Sequence, residues 1–153
     1  MMGLVPRPFT FDRSWQFAVP PARLWEVLAR TEDYPQWWPW LDRFESNGLR
    51  PGATAEFTVR APLPYRLRVT VAIESLVPAD CVEARIGGDL EGPARLEIRP
   101  VGGGCEARLV WSLRLRRPLL LRMERVARPA MVWGHDAVVR IGVRQFRRRA
   151  LRA

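Results

Sequence analysis

Apolar and polar positions alternate through most of this chain. Phe9, Phe11, Trp15, Phe17 and Val19 share one parity, interrupted by Arg13. That two-residue period predicts a strand over 9–19 with one buried face. Pro20-Pro21 stops the run, and proline suits the first turn of a helix. Ala22, Trp25, Val27, Leu28 and Ala29 then predict a short helix. Residues 34–40, YPQWWPW, place four aromatic rings and two prolines in seven positions. Such a segment is a rigid turn or helical turn with a large apolar surface.

From about residue 41 to 116 the pattern is that of strands. Over 53–60, Ala55, Phe57 and Val59 oppose Glu56, Thr58 and Arg60. Over 65–77, Tyr65, Leu67, Val69, Val71, Ile73 and Val77 are predicted inward, with Arg66, Arg68, Thr70 and Glu74 outward. Residues 81–87 set Val82, Ala84 and Ile86 against Glu83 and Arg85, and residues 94–99 set Ala94, Leu96 and Ile98 against Arg95, Glu97 and Arg99. Over 105–116, Cys105, Ala107, Leu109, Trp111, Leu113 and Leu115 share the apolar side. Turn residues separate the runs at Pro51-Gly52, Pro62 with Pro64, Pro78 to Asp80, Gly92-Pro93 and Gly102-Gly103-Gly104. One apolar face and one charged face mark an antiparallel sheet covered on one side.

The period then lengthens. Met131, His135, Val138, Gly142 and Phe146 fall on one helical face, and Arg140, Arg144, Arg147 and Arg148 mostly elsewhere. The helical region spans about 118–150. Proline inside a helix costs about 3 kcal/mol, so Pro129 is expected to open the final helix. Residues 119–128, LLLRMERVAR, would then be a separate turn or a kinked lead-in. Asp136 and Arg140 are spaced for a surface ion pair. A long amphipathic helix after an antiparallel sheet must lay its apolar face on that sheet.

Composition narrows the function classes. A chain of 153 residues with 48% hydrophobic content suits one globular domain over 1–153. No apolar run reaches the roughly 18 residues of a membrane span. The start, MMGLVPRPFTFDRS, lacks an apolar signal core, so a cytoplasmic location is expected. Cys81 and Cys105 are expected to be free thiols. All 25 basic residues are arginine and isoleucine is scarce, a codon bias that suggests a high-GC bacterial genome. Codon bias does not explain the net charge of +9. A solvated arginine surface is one reading, and transient contact with an anionic membrane is the other. The segment PLLLRMERVAR and the cluster Arg144, Arg147, Arg148, Arg149 and Arg152 fit either. Nucleic acid is not expected, because the aromatic residues lie on the buried parity.

The segments FAVPPARLWEVLARTEDYPQWWPWL and MVWGHDAVVRIGVRQFRRRAL carry a family likeness. With the element order around them, the chain resembles the START-related (SRPBCC) superfamily over almost its whole length, in the polyketide cyclase/dehydrase-like branch. The resemblance implies an α+β helix-grip fold, in which a curved antiparallel sheet wraps a long C-terminal helix around a hydrophobic cavity. It also implies binding or transport of a hydrophobic small molecule, whether lipid, polyketide-like or aromatic. The expected lining is Trp38, Phe57, Val59, Tyr65, Leu67, Val69, Trp111, Leu113, Met131, His135 and Val138. Members of the superfamily include carriers and enzymes. An aromatase/cyclase or dehydratase here would use His135 and Tyr65, the two catalytic candidates. The resemblance places an inward arginine and tyrosine in such enzymes, whereas Arg66 and Arg68 lie on the outward parity. A basic interaction module is a third possibility.

Other chemistry finds little support in the residues. One histidine and two distant cysteines do not close a zinc site. The glycines at 102–104 join two strands, so they read as a hairpin turn and not a phosphate loop. No cofactor is expected. The inward titratable groups reduce to His135, Tyr65, Tyr34, Cys105 and Arg13. A lone histidine on a core-facing helix is either a hydrogen-bonded structural residue or one that orients a ligand.

Overall fold

The computed structural model describes residues 8–60, 66–116 and 118–151. Strand β1 (Phe9–Phe17) is followed by helix α1 (Pro21–Leu28), a single turn at Thr31–Asp33 and the short helix α2 (Tyr34–Trp37). Six strands follow: β2 (Leu41–Ser46), β3 (Thr54–Val59), β4 (Leu67–Val77), β5 (Cys81–Gly88), β6 (Leu90–Val101) and β7 (Gly104–Leu115). Helix α3 (Pro118–Arg149) closes the chain. All seven strands form one antiparallel sheet, in the order β1-β7-β6-β5-β4-β3-β2. The sheet is curved and its apolar face is covered by α3, as the resemblance implies.

Alternation decides which face each strand buries. Phe9, Phe11 and Phe17 are buried on β1, Val82 and Ala84 on β5, and Cys105, Ala107, Leu113 and Leu115 on β7. The outward parity carries a ladder of ion pairs within and between strands. Arg95 reaches Glu83 at 3.0 Å and Glu97 at 2.8 Å, and Arg108 reaches Asp12 at 2.6 Å. These pairs are exposed, so each stabilises little. Their consequence is that charge is kept on the outer side of the sheet.

Two β-bulges change what simple alternation predicts. In β4 the pairing shifts between Ile73 and Ser75, which makes Glu74 an extra residue. Beyond it the parity inverts. Leu76 now stands opposite the buried Val82, and Val77, expected inward, is 56% exposed. In β2 the shift lies between Asp42 and Glu45, with Arg43 at φ 53°. The bulge turns both Leu41 and Phe44 inward although they are three residues apart. That spacing fits no strand period, so β2 has no sequence pattern of its own.

The final helix also differs from expectation. It is continuous from Pro118, with Pro129 inside it, and not a helix that begins near residue 129. Pro129 is exposed, so its ring stays out of the packed interface. Burial of Met131, Ala137 and Phe146 on the other side outweighs one lost backbone bond. Asp136 does not form the expected pair with Arg140. It lies 3.9 Å from Arg13 on β1 and 3.4 Å from the His135 ring.

The core divides into two parts. Phe17, Leu24, Val27, Trp37, Ile98, Cys105, Ala107 and Phe146 pack solidly where α1, α2 and the end of α3 meet the sheet. Phe9, Val59, Leu67, Val69, Leu90, Leu113, Leu115 and Met131 form the second cluster. The second cluster borders a cavity.

Close backbone approach at the β6–β7 contact requires glycine. Gly92 has φ 151°, and a Cβ there would lie 2.0 Å from the Ser112 carbonyl oxygen. Gly92→Ala is therefore expected to lower stability by more than about 2 kcal/mol. Gly103, in the open hairpin, has nothing within 4 Å of its Cβ position. Gly103→Ala should stay within about 0.5 kcal/mol of wild type. Urea melts of the two variants check this, and equal stabilities would contradict the assigned β6–β7 contact.

Candidate functional site

The cavity between the sheet and α3 has a volume of about 480 Å³. Strands supply most of its wall: Phe57 and Val59 from β3, Leu67 and Val69 from β4, and Trp111 and Leu113 from β7. Helix α3 supplies Met131, His135 and Val138, and the segment after α2 supplies Trp38. Strand parity puts the sheet residues there, and helical spacing puts 131, 135 and 138 on one face. Every expected lining residue among those described is thus at the cavity. Tyr65, the second catalytic candidate, lies outside the described residues.

Some other lining residues carry no clear signal in the sequence. Leu41 and Phe44 arrive through the β2 bulge, and Trp40 through the turn after α2. Phe9, Ile86 and Leu90 line the cavity as well. Ile86 and Phe9 are legible as inward, but nothing in the sequence separates cavity wall from solid core.

Three tryptophans connect the wall to α3. The Trp38 indole donates to the Gly142 carbonyl at 2.8 Å, and the Trp40 indole donates to Gln145 Oε1 at 2.7 Å. The Trp111 indole donates to His135 Nε2 at 2.9 Å. Gly142 lies against two of these rings: a Cβ there would sit at ordinary contact distance, 3.4 Å from Trp40 and 3.7 Å from Trp38. Tyr34 also borders the cavity, but its hydroxyl donates to the Leu28 carbonyl at 2.6 Å. Burial pushes the Tyr34 phenol up from its ordinary pKa.

The tautomer of neutral His135 is set by these partners. Its Nε2 accepts from Trp111, so the neutral ring carries its proton on Nδ1, toward Asp136 Oδ1 at 3.4 Å. The rings of Phe9 and Phe11 stand 6.2 and 5.5 Å away. Burial lowers the His135 pKa, and the Asp136 hydrogen bond and charge oppose that only in part. A proton on Nε2 would also meet the Trp111 N–H. The remaining sequence candidates do not join this site. Cys105 is buried in the solid cluster, where burial raises its thiol pKa, and Arg13 is exposed beside Asp136. Among the described residues no three histidine, cysteine or carboxylate side chains come together as metal ligands. No described helix is long and apolar enough to cross a membrane. Most side chains of the segment 118–127, the suggested membrane-facing stretch, lie outside the described residues.

Known structures share this architecture. A protein of Thermus thermophilus matches with a TM-score of 0.73 and 13% identity, covering 93% of this chain and 97% of its own. A START superfamily protein of Mycobacterium smegmatis matches with a TM-score of 0.70 and 13% identity, covering 92% and 96%. The protein Ara h 8.0201 matches with a TM-score of 0.58 and 16% identity, covering 90% and 97%. At these identities the likeness concerns the fold. No curated protein matches the sequence. Residues 8–153 match the family described as polyketide cyclase / dehydrase and lipid transport. That match spans nearly the whole chain and agrees with the sheet, the helix and the cavity between them, so the chain belongs to the polyketide cyclase / dehydrase and lipid transport family.

Proposed function

We propose that this protein binds and carries one hydrophobic small molecule in the cavity between the sheet and α3. The observation that supports this reading is an apolar cavity of about 480 Å³ whose indole, imidazole and phenol groups are already hydrogen-bonded to the protein. Its size falls in the range of about 300–1,000 Å³ typical of small-molecule sites. Removing apolar surface from water gives about 2.5 kcal/mol per 100 Å². A single hydrogen bond gives about 1 kcal/mol net. Apolar contact therefore dominates affinity in such a cavity. The proposed contacts are those of Trp38, Phe57, Val59, Leu67, Val69, Trp111, Leu113, Met131, His135 and Val138.

An aromatase/cyclase or dehydratase would need a group free to move a proton at the substrate. His135 and Tyr34 are the titratable side chains that border the cavity among the described residues. His135 Nε2 is bonded to Trp111, and the Tyr34 hydroxyl to the Leu28 carbonyl. This favours a carrier over an enzyme.

A neutral apolar dye, N-phenyl-naphthylamine, should bind with an increase in fluorescence. Val138→Trp places a large ring in the cavity and should weaken that binding by about tenfold or more. A thermal melt of the variant confirms that it folds. A folded Val138→Trp that binds the dye as tightly as wild type would contradict the site. Turnover of a polyketide-like substrate that His135→Asn abolishes, with binding kept, would favour the enzyme.

The state of His135 has a consequence for stability. Its pKa is lower in the fold than the ordinary 6.5, so the unfolded chain binds its proton more readily. The stabilisation is complete above about pH 6.5 and is lost as pH falls toward the folded value. Wild type should lose stability between about pH 7.5 and 5.5, and His135→Gln should lose less over that interval. Paired urea melts measure this. Equal losses would show that His135 does not titrate as its surroundings require.

A further inference from the structure

The cavity wall restricts the charge of its ligand. The sequence has 25 basic and 16 acidic residues, yet no arginine, aspartate or glutamate is among the described lining residues. Strand parity explains the separation, because charged residues alternate onto the outer face. The strongest donors at the wall are already used. The indoles of Trp38, Trp40 and Trp111 and the hydroxyl of Tyr34 all donate to protein acceptors. Thr31, Ser46 and Thr54 add only neutral hydroxyls. Among the described lining residues an anion inside would lose its hydration without gaining a counter-charge or a cluster of donors. An ammonium would find no carboxylate among the described lining residues. A buried, unpaired charge is unfavourable enough that a titratable ligand would enter in its neutral form.

We infer that the ligand is uncharged: a largely apolar molecule that places no carboxylate, phosphate, sulfonate or ammonium inside the cavity. This rests on the reading of the cavity as a ligand site. The arginine-rich surface works in the opposite direction, since it attracts anions from outside. Interior selectivity must therefore be read where that attraction is screened. In about 1 M NaCl the screening length is ~3 Å.

Two pairs of probes test this with the intact protein. N-phenyl-naphthylamine and anilinonaphthalene sulfonate differ by one sulfonate. Lauryl alcohol and lauric acid share a chain and differ in charge. In high salt at about pH 8, the neutral dye should bind at least about tenfold tighter than its sulfonate. Lauryl alcohol should displace the neutral dye equally at all pH values. Lauric acid should displace it better as the pH is lowered and the acid is neutralised. Binding of the sulfonate or of laurate as tight as that of its neutral partner, and lost in Val138→Trp, would overturn the inference while leaving the cavity as a binding site. Failure of every probe to bind would overturn the cavity reading itself, and this inference with it.

Discussion

Three indole N–H groups hold α3 against its surroundings. A buried indole needs an acceptor, because its N–H has lost water. Trp38 and Trp40 find theirs at Gly142 and Gln145, and Trp111 finds one at His135. All three acceptors are on α3, which is therefore tied to the turn after α2 near its C-terminal end and to β7 near its middle. Each bond joins a large ring to the helix across a space that a smaller side chain would not span. The solid cluster around Phe17, Leu24 and Phe146 anchors the C-terminal end of the helix, and Met131 packs near its middle. The cavity lies between these supports. The same bonds that position its walls also consume its polar groups, so the wall presents mostly carbon to a ligand.

Charge and apolarity are segregated by the strand period. Arg95, Arg108 and their carboxylate partners occupy the outer parity, while Val69, Trp111 and Leu113 occupy the inner one. A protein with a net charge of +9 can thus enclose a cavity with no charged residue among its described walls. His135 does not break that rule. Its ring is held neutral by burial and by the Trp111 N–H at Nε2, which makes it part of the frame more than a free base.

Much of this is legible in the sequence because period and parity are local properties. The inward faces of β3, β5 and β7 follow from alternation, and the α3 face follows from helical spacing. Family likeness supplies the cavity, since alternation alone does not separate a solid core from a hollow one. Long-range events leave no such local trace. The bulge at Glu74 exposes Val77, and the one in β2 brings in Phe44, yet neither residue carries a local sign of it. Pro129 reads as a helix start because its cost is local, whereas the packing that outweighs it comes from the sheet. The indole bonds are invisible in the sequence for the same reason: Trp38 and Gly142 are 104 residues apart.

The central claim is that a neutral apolar molecule occupies the space between the sheet and α3. A crystal structure of the protein with N-phenyl-naphthylamine tests it most directly. The dye should lie between Trp111 and Val138, with the three indole bonds to α3 intact. Dye bound only on the outer surface, with side chains packed solidly across the space, would contradict it.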